Sequence, residues 1–112
     1  MMNIDFVFFD GNLTHDPEER IVGDNKRLTT FTVAINHPTG REDKDGVSYI
    51  PVETWGKQAE NCAKYLTKGS RVSVEGALRQ ERWQDEDGKN HSRIKILARN
   101  VRFDYTKKQE AA

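Results

Sequence analysis

Trp55–Trp83, WGKQAENCAKYLTKGSRVSVEGALRQERW, is the stretch on which the reading of this chain turns. Ala59, Cys62, Ala63 and Leu66 recur at i, i+3, i+4 and i+7, a narrow apolar stripe that predicts a helix over 57–67. Gly56 is placed to cap its start, and Gly69 to end it in the left-handed conformation. The period then drops to two. Val72, Val74, Gly76 and Leu78 fall on one side, and Arg71, Ser73, Glu75, Ala77 and Arg79 on the other. A helix thus feeds a half-buried strand that delivers Trp83 to a polar turn.

Working outward, Ile4 to Leu13 reads as an aromatic first strand, with Gly11 near its end marking a bulge or bend of the kind small barrels need to close. Thr14 to Glu19 reads as a turn or loop broken by Pro17, and Leu28 to Asn36 as a second strand. His37 to Gly46 (HPTGREDKDG) lacks periodicity and reads as a mobile polar loop. Val47 to Trp55 is a third strand, in which Ile50, Val52 and Thr54 share one side and Tyr49, Pro51, Glu53 and Trp55 the other. With the aliphatics in the core, Tyr49 and Trp55 stand on the open face, about 20 Å apart. Pro51 cannot donate to a ladder, so a bulge or an edge is expected there. Gln84 to Lys89 is a hairpin tip with an Asp-Gly turn, and Ser92 to Phe103 a long last strand.

Three strands, a helix and a two-stranded hairpin define an all-β chain with one helix. This is the layout of a five-stranded OB-fold Greek-key barrel with its helix between strands 3 and 4. The 112 residues suffice for one domain, read as 1–104, with 105–112 a short disordered C-terminal end. The single cysteine, on the helix's apolar stripe, allows no internal disulfide. No apolar run is long enough to span a membrane, and the start MMNIDFVFFD, with no basic segment and with Asp5 and Asp10 among its apolar residues, is not expected to act as a signal peptide. A reduced, cytoplasmic, nucleoid-associated setting without a membrane partner is expected.

The formal charge is zero, but its distribution is not even. Residues 1–55 hold five Lys/Arg and ten Asp/Glu, and residues 56–112 thirteen and eight. Gly88 to Phe103 carries Lys89, Arg93, Lys95, Arg99 and Arg102 with no acid. Such asymmetry governs partner choice more than the total does, although solvated strand faces would give the same counts. Open aromatics beside basic side chains suit a single strand of nucleic acid, whose bases stack on rings while cations follow the phosphates. A lone Trp or Tyr is more often core than platform. Three of them, two on the non-core side and one beside a polar tip, shift the balance toward a binding face. His15, His37 and His91 share no metal-ligand spacing with Cys62, and no phosphate loop or nucleophile motif occurs. Asp85-Glu86-Asp87 reads as solvated acids. Neither an enzyme, a cofactor nor a metal is expected.

These residues also match a family. Gly11-Asn12-Leu13 with Asp16-Pro17-Glu18, Phe31-Thr32-Val33-Ala34, Trp55 to Asn61, Lys64 to Ser70, and Val74 to Arg79 followed by Trp83 resemble, in order and spacing, the bacterial single-stranded DNA-binding proteins over about residues 3–104. The resemblance implies an OB-fold that assembles, usually as a homotetramer, and binds single-stranded DNA without sequence preference in replication, recombination and repair. It implies stacking roles for Trp55 and Trp83, a stacking aromatic replaced at Tyr49, and phosphate contacts from Lys57, Lys68, Arg79 and Arg82. Arg93 and Lys95 on the basic last strand join that set. The sequence departs from the family in three places. Only His37 stands in the loop where a further ring is common, and Glu81 interrupts a usually basic stretch. The acidic tail that recruits repair enzymes is not found, so that recruitment is not expected. A dimeric primosomal accessory protein of the same fold, or a protein-interaction OB module, is the alternative. Ile4, Phe6 and Phe8 on one side of the first strand, with Val7 and Phe9 on the other, suggest an oligomer, unless Ile21 and Val22 cover Val7 and Phe9.

Overall fold

In the computed structural model, which describes residues 1–106, every strand belongs to one sheet that curls until its first strand meets its third. The elements are β1 (Val7–Leu13), β2 (Glu18–Val22), β3 (Lys26–Arg41), β4 (Lys44–Trp55), α1 (Gly56–Tyr65), β5 (Arg71–Gln84) and β6 (Asn90–Tyr105). The order is β1-β5-β6-β4-β3-β2, and an added β1–β3 pairing closes five strands into the OB barrel. β4 and β6 are parallel and joined only at Val52↔Ile96 and Glu53↔Leu97.

Closure happens at Gly11. Up to Asn12, β1 pairs with β5, and at Asn12↔Ala34 and Leu13↔Val33 it passes to β3. A Cβ on Gly11 would lie 2.3 Å from the Ala34 carbonyl oxygen, so only glycine lets the two backbones approach this closely. Leu13, Phe31, Val33, Val52, Val72, Val74 and Ile96 fill the interior, and Cys62 of α1 with Leu66 just past its end plugs it. Burial drives the Cys62 thiol pKa up to about 12. Thr29 ties helix to sheet, its Oγ1 donating to the Ala59 carbonyl (2.7 Å), and its own carbonyl accepts Thr54 Oγ1 across the β3–β4 ladder (2.9 Å).

The helix is shorter than its stripe predicts. Leu66 already has extended backbone, its amide donating to the Cys62 carbonyl. Trp55 takes the capping position, and Gly56, in the left-handed region at φ 69°, opens the helix rather than capping it. Gly69 (φ 89°) shapes the turn after the helix and donates to the Leu13 carbonyl (2.9 Å).

The alternation expected along β5 breaks after Gly76. Ala77 is fully buried and Leu78 is 50% exposed, the reverse of the predicted faces. Two causes meet here. The β5–β6 register shifts between Glu75↔Asn100 and Gly76↔Ala98, leaving Arg99 without a partner. β1 also ends at Val7↔Gly76, so beyond this point β5 pairs only with β6. Gln58 bridges the disturbed ladder: its amide donates to the Ala98 carbonyl (3.4 Å), and its oxygen accepts the Val101 amide (2.9 Å).

Two further expectations change, and at Pro51 the edge rather than the bulge is found. β2, read as loop, pairs with β3 from Glu18↔Thr30 to Val22↔Lys26. All five of its residues are exposed, so no apolar period marks it. His37–Gly46 is not a mobile loop, for β3 and β4 run on as a ribbon to Arg41↔Lys44. Both faces of that ribbon are wet, so hydrophobic alternation cannot reveal it. Pro51 pairs with Thr32 without a bulge. The Thr32 carbonyl points away from β4, accepting the Thr14 amide (3.0 Å), so the pair is a non-hydrogen-bonded one. The proline nitrogen therefore faces the other side, where pairing with β6 starts only at Val52. Of the expected C-terminal end, Tyr105 still belongs to β6 and Thr106 is buried, while 107–112 lie outside the described residues.

Gly11→Ala should cost about 1–3 kcal/mol of stability, because backbone cannot yield as a side chain tip can. Urea unfolding measures it, and an unchanged midpoint would show that closure tolerates a methyl group there.

Candidate nucleic-acid interface

The register of β4 decides which rings reach water. Its inward residues, Val52 and Thr54, are buried, so Tyr49 and Trp55 are turned outward, 64% and 37% exposed. Between them on the same face lie Pro51 and Glu53, opposite Thr32 and Thr30 of β3. Here the surface dips into a groove of about 460 Å³, within the range of ligand sites. Glu18 and Arg20 of β2 line it together with Glu81, Arg93 and Lys95 of the β5–β6 ribbon. Tyr49 borders a second hollow with Lys68, and Trp55 a third with Lys26, Arg27 and Lys57. The two rings thus bracket one polar groove.

Trp83 sits farther out on the ribbon. Cross-strand pairing sets Arg79 opposite Lys95, Glu81 opposite Arg93 and Trp83 opposite His91, so these six side chains share one face. Arg82 falls on the opposite face, where Gln80 Oε1 accepts its guanidinium (2.7 Å). Trp83 is 43% exposed, but one side of its ring is taken by His91, 5.5 Å away and 19° from parallel. Asp85 holds that imidazole (Oδ2 to Nε2, 2.8 Å), and its Oδ1 accepts the amides of Asp87 and Lys89. The tip acid read as merely solvated is therefore the anchor of the turn and of the ring stack. His91, followed by the Lys89 and Asp87 amides, holds the Asp85 carboxyl below the usual aspartate range.

The basic residues singled out in the sequence are not equally available. Lys57 is well exposed, 3.7 Å from Glu60. Among the described residues, the side chains of Lys68 and Arg82 have no ion pair. Arg79 is drawn to Asp5 (2.7 Å), whose other oxygen accepts the Leu78 amide. Arg93 meets Glu81 at 3.2 Å, and Lys95 sits between Glu53 (2.9 Å) and Glu81 (3.6 Å). Arg20 was missed with β2, and Glu53 and His91 were missed as partners. The Trp83↔His91 pairing does not follow from a two-residue Asp87-Gly88 turn, which would set Trp83 opposite Ser92; the loop holds three residues, Glu86 to Gly88, with Gly88 at positive φ, and this shifts the register by one.

The sequence profile of the Single-strand binding protein family matches residues 4–104. The chain belongs to that family. Among its relatives are proteins named single-stranded DNA-binding protein. That of Treponema pallidum is 38% identical over 105 residues, which cover 92% of this chain and 59% of the relative. That of Caldanaerobacter subterraneus is 38% identical over 98 residues, covering 87% and 65%. That of Thermotoga maritima is 35% identical over 96 residues, covering 83% and 68%. The chain thus spans 59% and 65% of the first two relatives.

The carboxyl of Asp85 should titrate below the ordinary aspartate value. Because its folded pKa is depressed, its contribution is present above the unfolded value and is lost as pH falls through the folded one. The turn and the Trp83–His91 stack should loosen together over that window. Carboxyl and indole NMR signals follow both, and an Asp85 midpoint at or above the ordinary value would contradict the anchoring role.

Proposed function

We propose that this chain binds single-stranded DNA without sequence preference, and that the groove bracketed by Tyr49 and Trp55 is where the strand lies. The observation that carries the reading is the outward pair of rings on β4 in a chain of the single-strand binding protein family. Bases stack on Tyr49, Trp55 and the open side of Trp83. Phosphates are met by Lys57, Lys68, Arg93 and Lys95, with Arg20 added. Arg79 and Arg82 contribute less, one held by Asp5 and the other on the far face of the ribbon. The work is protection of exposed strands in replication, recombination and repair, in the bacterial cytoplasm at the nucleoid. Among the described residues no helix is long and apolar enough to cross a membrane. Binding of this kind asks for neither a cofactor nor catalysis.

Assembly belongs to the same reading. Phe6 and Phe8 are exposed, as are Ile4 and Leu78. From Val7 to Asp10, β1 is paired on one side only. Val7 and Phe9 pack against the core, and Ile21 and Val22 are themselves exposed. An exposed aromatic face beside an open strand edge favours pairing with another copy, and a homotetramer closes all such edges. Sedimentation at micromolar concentration should give a species near four times the 12.9 kDa chain. A single species at the chain mass would refute assembly, and one at twice that mass would favour the dimeric accessory reading.

Oligo-dT should quench tryptophan fluorescence, with affinity falling as salt rises. Trp55→Ala should weaken binding toward the upper end of about 1–3 kcal/mol and Trp83→Ala toward the lower end, since His91 already covers one side of that ring. Salt-independent affinity, equal affinity for duplex, or unfolding of either variant would count against the assignment.

A further inference from the structure

The groove between the rings carries an arrangement that a phosphate-binding surface does not need. Among the described residues, Arg20, Arg93 and Lys95 are the only Lys or Arg side chains lining it, and acids outnumber them. Two of the three are already engaged. Glu81 lies 3.2 Å from Arg93 and 3.6 Å from Lys95, and Lys95 also holds Glu53 at 2.9 Å. The four side chains form one chain of alternating charge, Glu53–Lys95–Glu81–Arg93. Its inner pair is sheltered, Lys95 being 22% and Glu53 13% exposed, whereas its outer pair is open to water. Arg93 and Lys95 hold the Glu81 carboxyl below its usual range, so Glu81 is charged at neutral pH.

We propose that Glu81 is an internal counter-anion of the binding groove, occupying Arg93 and Lys95 in the free protein and giving them up to strand phosphates on binding. The inference rests on the single-strand reading of the groove. Glu53 is the fixed partner that positions Lys95. Glu81 is the exchangeable one, since an exposed carboxylate pair is weak and easily traded for a phosphate. The exchange lowers the affinity, because a favourable pair is broken and a negative charge stays beside the strand. It also flattens the salt dependence, because cations already matched by a carboxylate bring fewer released counterions when phosphate arrives. Glu81 therefore tunes the grip on DNA, keeping the strand exchangeable.

The test is Glu81→Gln, with oligo-dT as probe and affinity measured across a salt series. The variant should bind about twofold to thirtyfold more tightly at low salt. Its log–log salt slope should steepen by about 0.7 for each freed cation. Glu42→Gln, at the β3–β4 turn, removes the same charge away from the groove and should change neither quantity. In an Arg93→Gln background most of the gain should disappear, a coupling that a general charge effect does not produce. Should the unfolding midpoint of Glu81→Gln drop, Glu81→Thr, a better strand former, repeats the measurement. Wild-type binding with no gain and no change of slope in the variant would overturn the inference and leave the single-strand reading standing. Failure of wild type and variant alike to bind oligo-dT would remove both.

Discussion

Barrel closure depends on a single close approach of backbone to backbone. β1 leaves β5 and joins β3 through only two residue pairs, and Gly11 is the position where the strands have no room for a side chain. What surrounds the crossing reinforces it. The Leu13 amide donates to the Ser70 carbonyl, the Gly69 amide to that of Leu13, and the Asn12 side chain to that of Gly69. The turn after α1 is thereby bolted to the end of β1. The helix that plugs the barrel and the strand that seals it are held by one set of bonds. The outward rings of β4 inherit their direction from this closure, because a shift of one residue would turn Tyr49 and Trp55 inward.

The parts of the fold visible in the sequence are those where one side is dry. The stripe Ala59–Cys62–Leu66, the alternation Phe31–Val33 and the alternation Ile50–Val52–Thr54 each follow the period of their element, and all are buried as expected except Ile50, which is half-buried against the core. The β5–β6 tip was visible through its Asp-Gly turn chemistry. What escaped was strand structure wet on both faces: β2, with every residue exposed, and the ribbon reaching Arg41↔Lys44. There pairing is set by backbone hydrogen bonds, which leave no pattern in side-chain polarity. Beyond Gly76 the alternation misled, because the place where β1 stops and the ladder slips is a tertiary fact.

The candidate site divides along the same line. The rings could be placed because register fixes direction. The cations could be named but not ranked, because their availability depends on acids distant in sequence. Asp5 finds Arg79 across 74 residues, and Glu53 finds Lys95 across 42. In a chain whose formal charge sums to zero, the groove pairs bases with acids locally as well, Lys95 with Glu53 and Glu81. Counting lysines and arginines by segment misses this compensation.

The two ribbons give the molecule uneven mechanics. Near its tip β3 pairs only with β4, and beyond Gly76 β5 pairs only with β6, and neither ribbon tip packs on the core as the barrel strands do. A two-stranded arm bends and twists far more readily than a closed barrel. Trp83 is mounted on such an arm, while Tyr49 and Trp55 stand where β4 pairs with β3 over the core. The surface therefore joins a rigid seat to a compliant finger. Bending of the finger would move Trp83 relative to Tyr49 and Trp55 while the residues that fill the barrel stay where they are.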